Sequence, residues 1–286
     1  VPGFANVTAF AAAYDEGRTS FCSFRKVPSQ ASVTNWWVDL SMAAGNPLPN
    51  YYASSPLVAA TLDPYRGIYH GASQAPASKH LAEFGVMTPS GTLLGQFCLL
   101  DYLLYYPFVD MDTLDAQLMD NTVVLPRYED GDGVHVMAVA VAPTVGGGQF
   151  TFDYENQDGV VKTSPIQYCA TTAASIASLV CGQPAVANSV AAPFLTLANG
   201  DRGVRRIIGV NMLVPNGGLM ALVLVKPLMD CAIREANTMS EVSFVRERAY
   251  APRILDGAYL NLITRPSGSV GNNAFAGYAK FVWSKN

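Results

Sequence analysis

Charge is what this chain has least of. Asp, Glu, Lys and Arg make up 14% of its 286 residues, against about 25% in an ordinary soluble domain. Half of the residues are hydrophobic, yet no apolar run approaches the roughly 18 to 20 residues that a membrane-crossing helix needs. A chain so poor in charge that must still meet water is expected to hide part of its surface against other subunits. That points to a part of an assembly, with no membrane partner. The net charge of −4 and the pI near 5.3 argue against a nucleic-acid partner, whose binding face calls for clustered Lys and Arg. The densest basic cluster, Arg202, Arg205 and Arg206, stands beside the Asn199-Gly200-Asp201 turn and reads as a solvated loop flank.

Histidine and cysteine are scarce too. His70, His80 and His135 are the three histidines, and none has the close spacing to Cys, His or carboxylate that metal sites show. The five cysteines, Cys22, Cys98, Cys169, Cys181 and Cys231, form neither a Cys-x-x-Cys pair nor a disulfide framework. Cys98, Cys169 and Cys181 lie in apolar surroundings and read as small core residues. A reducing site of synthesis fits, with a single disulfide left open. There is no phosphate loop and no dinucleotide fingerprint. The nearest approach to a nucleophile elbow, Pro266-Ser267-Gly268-Ser269, lacks the first glycine. The run Glu129-Asp130-Gly131-Asp132-Gly133 hints at a calcium loop, but the twelfth position from Asp130 is Val141 and not Glu. A hairpin turn is the expectation there. No catalytic residue, cofactor or metal site is expected, and the chain reads as non-enzymatic. Its first residues, Val1-Pro2-Gly3-Phe4, show no signal-peptide pattern.

What the sequence has in quantity is β patterning. Ala5 to Glu16 reads as a short helix stopped by Gly17, and residues 20–27 and 33–41 read as strands. Residues 43–92 are rich in Pro, Gly, Ser, Tyr and Asn without periodicity, which predicts a long irregular arm docked on something. Leu93 to Phe108 mixes helical and strand spacings, and a buried helix is the reading taken. Asp112 to Met119 reads as a second short helix, with acidic residues at its start. From residue 121 the pattern turns to strands, at 121–127, 134–142, 149–154 and 160–168. Gln157-Asp158-Gly159 marks a hairpin turn between the last two. Thr171 to Cys181 reads as a short helix ended by Gly182 and Pro184. Strands follow at 194–198, 204–214, 219–225, 242–246, 258–263 and 275–283, with Asn216-Gly217-Gly218 as a tight hairpin. The expected fold is mainly β, a jelly-roll-like β-sandwich with a few short helices and a long irregular N-terminal arm. The division is 1–120, a mixed region carrying the arm 43–92, and 121–286, the sandwich, or else one continuous domain.

Aromatic pairs, Trp36-Trp37, Tyr51-Tyr52 and Tyr105-Tyr106, stand out against the low charge. Aromatic side chains are what interfaces favour, so Trp37, Tyr51, Tyr52, Tyr65 and Tyr69 are the candidate interface residues. In a strand, neighbours face opposite sides, so one tryptophan of Trp36-Trp37 is expected in the core and the other outside.

Several short stretches resemble virion structural proteins of tailed bacteriophages. They are Trp36-Trp37-Val38-Asp39-Leu40-Ser41, Gly45-Asn46-Pro47, Tyr51-Tyr52-Ala53 and Leu103-Leu104-Tyr105-Tyr106-Pro107-Phe108. Leu125-Pro126-Arg127-Tyr128, Ala251-Pro252-Arg253-Ile254 and the closing Gly277-Tyr278-Ala279-Lys280-Phe281-Val282-Trp283 belong with them. The resemblance implies a component of the virion, made in the host cytoplasm, as a capsid decoration or cement protein or in the tail. It brings no catalytic signature. Its partners would be other virion proteins and further copies of the chain in a homo-oligomer. The alternatives are a carbohydrate- or receptor-binding β module of a phage tail, the major capsid subunit, or a hydrolase.

Overall fold

The computed structural model describes residues 4, 6–91, 93–181, 193–247 and 250–285. The chain opens with helix α1 (Val7–Asp15), capped by the Asn6 side chain, which accepts from the Ala9 N–H at 2.8 Å. Next come strands β1 (Thr19–Val27), β2 (Val38–Asp39), β3 (Ala44–Asn46), β4 (Ala60–Thr61), β5 (Lys79–Met87) and β6 (Gly95–Asp110). β7 (Gln117–Leu118), β8 (His135–Ala140), β9 (Gln149–Asn156), β10 (Val161–Thr163) and β11 (Gln167–Tyr168) follow. The last part holds β12 (Val204–Val214), β13 (Leu219–Ile233), β14 (Ser240–Ser243), the single turn α2 (Phe244–Glu247), β15 (Arg253–Ile254), β16 (Tyr259–Pro266) and β17 (Phe275–Trp283).

These strands make three antiparallel sheets, and the mainly-β sandwich expected from the sequence is the architecture found. The first sheet has the order β14-β5-β17-β1-β3, with β15 also on β5. The second is β10-β9-β12-β7, with β11 on β9. The middle sheet is β2-β16-β6-β13-β8, with β4 on β6. All three mix strands from both sides of residue 120.

The middle sheet is buried on both faces. Its long strands β6 and β13 send Phe97, Leu99, Met229 and Ile233 toward the first sheet, where Phe24, Phe84, Phe275 and Phe281 meet them. Further along, Leu104, Tyr106, Leu222 and Leu224 pack on Phe150, Phe152, Tyr154 and Ile207 of the second sheet. The opposite face carries Leu100, Tyr102, Met137, Val139, Val223, Val225, Tyr259 and Ile263 in a third core.

That third core is enclosed because the middle sheet closes. Leu179 bridges Val139 of β8 and Ser178 bridges Val38 of β2, so the segment around them joins the two edges. The result is a ring of strands with one core inside and a sheet on each of two outer flanks.

Several expectations are corrected. Leu93–Phe108 is not a helix but most of β6, because both of its faces are buried and an apolar run in that setting shows no alternation. Residues 171–181 form no helix, since their backbone is taken up by the bridges to β8 and β2. The proposed stop at Gly182 and Pro184 lies outside the described residues. Residues 112–119 form no helix either. The Asp110 and Thr113 side chains cap local turns by accepting from the Asp112 and Asp115 N–H groups. No strand forms at 121–127 or 194–198. The strand foreseen over 33–41 shrinks to β2, and that over 160–168 splits into β10 and β11. The strand foreseen over 242–246 stops at Ser243, where α2 begins. Asn216-Gly217-Gly218 turns the chain between strands of different sheets, so it closes no hairpin. The irregular arm is shorter than 43–92, since Lys79–Met87 is an interior strand of the first sheet.

One buried ion pair ties the strandless stretch near residue 125 to the ring. Arg127 donates to both Asp101 oxygens, at 2.8 and 2.6 Å, and to the carbonyls of Gly257 and Tyr102. The Tyr259 N–H also donates to Asp101, at 3.0 Å. Burial pushes the Asp101 carboxyl up, and the guanidinium works against that. Removing one partner strands the other, whereas replacing both with apolar groups need not cost stability. Arg127→Met is therefore expected to lower the unfolding free energy by about 3 kcal/mol. The double variant with Asp101→Leu should recover most of it in urea titration.

Candidate functional site

The five aromatic candidates divide sharply. Tyr51, Tyr65 and Tyr69 are 58%, 87% and 60% exposed, while Trp37 and Tyr52 are 4% and 0% exposed. Trp37 and Tyr52 are thus interior residues of the ring and not contact residues, a correction with a clear physical cause. Residues 36 and 37 precede β2 and do not alternate as a strand would. Trp36 is also buried, its indole N–H donating to the Leu179 carbonyl at 2.6 Å.

Tyr52 is drawn inward by Asp39. The Tyr52 hydroxyl donates to Asp39 Oδ2 at 2.5 Å, and the Tyr102 hydroxyl donates to Oδ1 at 2.7 Å. Ser41 adds its N–H at 2.8 Å and its hydroxyl at 2.7 Å. Burial pushes the Asp39 carboxyl up, and the hydroxyls of Tyr52, Tyr102 and Ser41 pull it back. Both phenols are held well above their ordinary value, first by burial and then by the Asp39 charge. Lys26, fully buried nearby, donates to the Pro47 carbonyl at 2.9 Å. Its burial lowers it to about 8, with Asp39 acting in the other direction. Tyr52 adopts a positive φ of 51°, a conformation few residues other than Gly, Asn and Asp take. Its hydrogen bonds hold it there.

The exposed tyrosines sit next to such fixed points. Tyr51 precedes the anchored Tyr52. Tyr65 lies in a short 3-10 turn whose cap, Asp63, accepts from the Tyr65 N–H at 3.0 Å. Tyr69 lies between Ile68, whose N–H donates to Leu260 at 2.7 Å, and His70. The His70 ring is buried, with Nε2 3.0 Å from the Ala258 carbonyl and Nδ1 3.3 Å from Lys79 Nζ. Lys79 also donates to the Gly71 and Ala72 carbonyls. Burial first, and the Lys79 charge second, push His70 down to about 4. The neutral ring donates to Ala258 and accepts from Lys79.

The other residues singled out by type have structural settings. His135 stacks on Phe194 at 4.8 Å, and His80 Nδ1 lies 3.0 Å from the Ala251 carbonyl. All five cysteines are free thiols. Among the described residues no group of three His, Cys, Asp or Glu is placed to hold a metal ion, and no helix is long and apolar enough to cross a membrane.

No family model matches this chain, and no curated protein matches it. Among solved structures there is a likeness to the infectious bursal disease virus VP2 subviral particle, at 7% identity over 94% of this chain and 81% of that one. Its TM-score is 0.13, and a likeness of that size carries no argument.

The pinned arm makes two predictions. Tyr52→Phe leaves Asp39 short of one donor in a dry site and is expected to cost about 1 to 3 kcal/mol in urea unfolding. Tyr51→Phe, one residue away and exposed, should stay within about 0.5 kcal/mol. For His70 the fold favours the neutral ring, with a folded value of about 4 against about 6.5 when unfolded. Its contribution is whole above pH 6.5 and is lost as pH falls from 6.5 toward 4, by at most about 3 kcal/mol. His70→Gln should flatten the fall of the urea midpoint over that range. An unchanged slope would remove His70 from the acid response.

Proposed function

We propose that this protein is a non-enzymatic structural component of a virion, acting as a capsid decoration or cement protein through contacts between subunits. The observation that carries the reading is the set Tyr51, Tyr65 and Tyr69. These are large aromatic side chains held out into solvent, with Tyr51 and Tyr69 each beside a residue anchored by a buried hydrogen bond and Tyr65 in a short turn capped by the exposed Asp63 side chain. Aromatic anchors on a pre-set backbone lose little entropy on docking, which is the property an assembly contact needs. Other exposed apolar side chains, among them Phe21 and Leu48, enlarge the surface available. Repeated modest contacts of this kind add up through avidity when many copies are arrayed together. The partners are other virion proteins and further copies of the chain, and the virion is the location that follows.

The test is mass in solution by light scattering during size exclusion, for wild type and for the triple variant Tyr51→Ser/Tyr65→Ser/Tyr69→Ser. The expected result is a discrete wild-type oligomer that the triple variant loses, with unchanged circular dichroism and urea midpoint. An oligomer that survives the triple variant would remove these tyrosines from the interface. A wild type that stays monomeric at its highest soluble concentration would sink self-assembly.

A further inference from the structure

The five thiols differ in what lies beside them. Cys22 Sγ donates to the Ser23 carbonyl at 3.4 Å. Cys98 and Cys231 stand on the paired strands β6 and β13, but Cys98 packs on the ring's own core and Cys231 on the core of the first sheet. The middle sheet separates those two. Cys169 and Cys181 are different, because their thiols are in hydrogen-bond contact. Both belong to the core shared with the second sheet, with Cys169 1% exposed and Cys181 partly exposed.

The chain doubles back to bring them together. Cys169 follows β11, and its N–H donates to the Gly148 carbonyl at 2.9 Å. Cys181 follows the segment that closes the ring, directly after Val180, whose N–H donates to the Ala138 carbonyl of β8 at 2.8 Å. The Ala170 N–H donates to the Val180 carbonyl at 2.9 Å, a bond one residue away from each cysteine. Backbones joined in this way run about 4.5 to 5.5 Å apart. That lies inside the window of roughly 4.4 to 6.8 Å between Cα atoms that a disulfide spans.

We propose that Cys169 and Cys181 are a redox modification site, joined by oxidised glutathione into a disulfide that staples the ring closure to the chain beyond β11. The partly exposed Cys181 reacts first. Its thiolate attacks one glutathione sulfur, the glutathione S–S bond breaks, and one glutathione leaves as its thiolate. The Cys169 thiolate then attacks the Cys181 sulfur of the mixed disulfide, which forms the protein S–S bond and expels the second glutathione. The protons given up by the two cysteines pass to the two glutathione thiolates, and the protein's loss of two electrons matches the oxidant's gain. The Cys169 contact first, and burial second, hold the Cys181 thiol well above its ordinary value, so the exchange is slow. The inference rests on the thiol contact and not on the assembly reading, so each can fail without the other.

The experiment equilibrates the full chain in glutathione buffers from reducing to oxidising. It is run on the folded protein and again during refolding from urea, so that slow access to the thiols cannot hide the bond. Thiols are counted by alkylation in denaturant, and chymotryptic peptides are mapped without reduction. Cleavage after Leu179 leaves the two cysteines on separate peptides, so a joined pair reports the bond. The expected result is a loss of two thiols from the five, with Cys169 and Cys181 in one joined pair of peptides. The unfolding equilibrium constant of the oxidised protein should be about 100-fold lower than that of the reduced one, the effect of a cross-link closing a loop of this size. Cys181→Ala should gain nothing from the oxidant. Five thiols remaining at the oxidising end would overturn the proposal, as would a bond to another cysteine, arrest at the glutathione adduct, or an unfolding constant that oxidation leaves unchanged.

Discussion

Residues 177–180 make three backbone hydrogen bonds to β8 and two to the residues around β2, all between 2.8 and 2.9 Å. A flat sheet ending in β2 on one side and β8 on the other would leave two rows of unpaired N–H and C=O groups, and burying such groups is costly. The connector pairs with both edges and removes the problem, as closure does in any β-barrel. The bonds from Leu179 and Asp39 also fix the backbone on either side of β2. That places Trp36 against the Leu179 carbonyl and turns Trp37 and Asp39 inward. What happens inside the ring follows from this closure.

The arm then depends on the ring. Asp39 in the interior is the acceptor that recruits Tyr52, and Ala60 and Thr61 pair with Tyr105 and Leu104 of β6. Ile68 and His70 bond to carbonyls at the start of β16. A stretch with almost no regular structure is thereby held at several separate points. The buried polar groups it uses are ones that water would otherwise have to satisfy. Its exposed tyrosines inherit that rigidity.

Where local chemistry and tertiary setting agreed, the sequence was legible. β12 and β17 fall on the residues expected for them, α1 lies within the predicted helix, and Gly159 takes the positive φ of the turn foreseen there. The alternation of Phe150, Phe152 and Tyr154 marked a half-buried strand because only one face of β9 meets the core. β6 was misread because both of its faces do, and its doubled leucines then imitate helical spacing. Residues 171–181 carry genuine helix signals, but no local rule foresees that their backbone is needed to close a ring. The site was legible in the same partial way. Residue type picked out the tyrosines, yet adjacent tyrosines differ from 58% to 0% exposed because one of them meets Asp39. Cys169 and Cys181 read as small core residues, and nothing in their spacing shows that the chain between them doubles back to bring the thiols into contact.

The scarcity of charge takes on a different meaning once the sheets are counted. In an ordinary two-sheet sandwich each strand needs one apolar face. Here the middle sheet lies between two flanking sheets and its own enclosed core, so β6 and β13 need apolar residues on both faces. Those two strands have 16 and 15 residues, and most of their side chains are buried. Much of the low charge is therefore a demand of the internal architecture and needs no partner to explain it. What the internal architecture does not require is an aromatic ring facing water on an arm whose neighbouring side chains are already anchored. Tyr51, Tyr65 and Tyr69 contribute little to the stability of the isolated chain, since each is more than half exposed. These three positions, and not the composition of the whole chain, are what an assembly contact would explain.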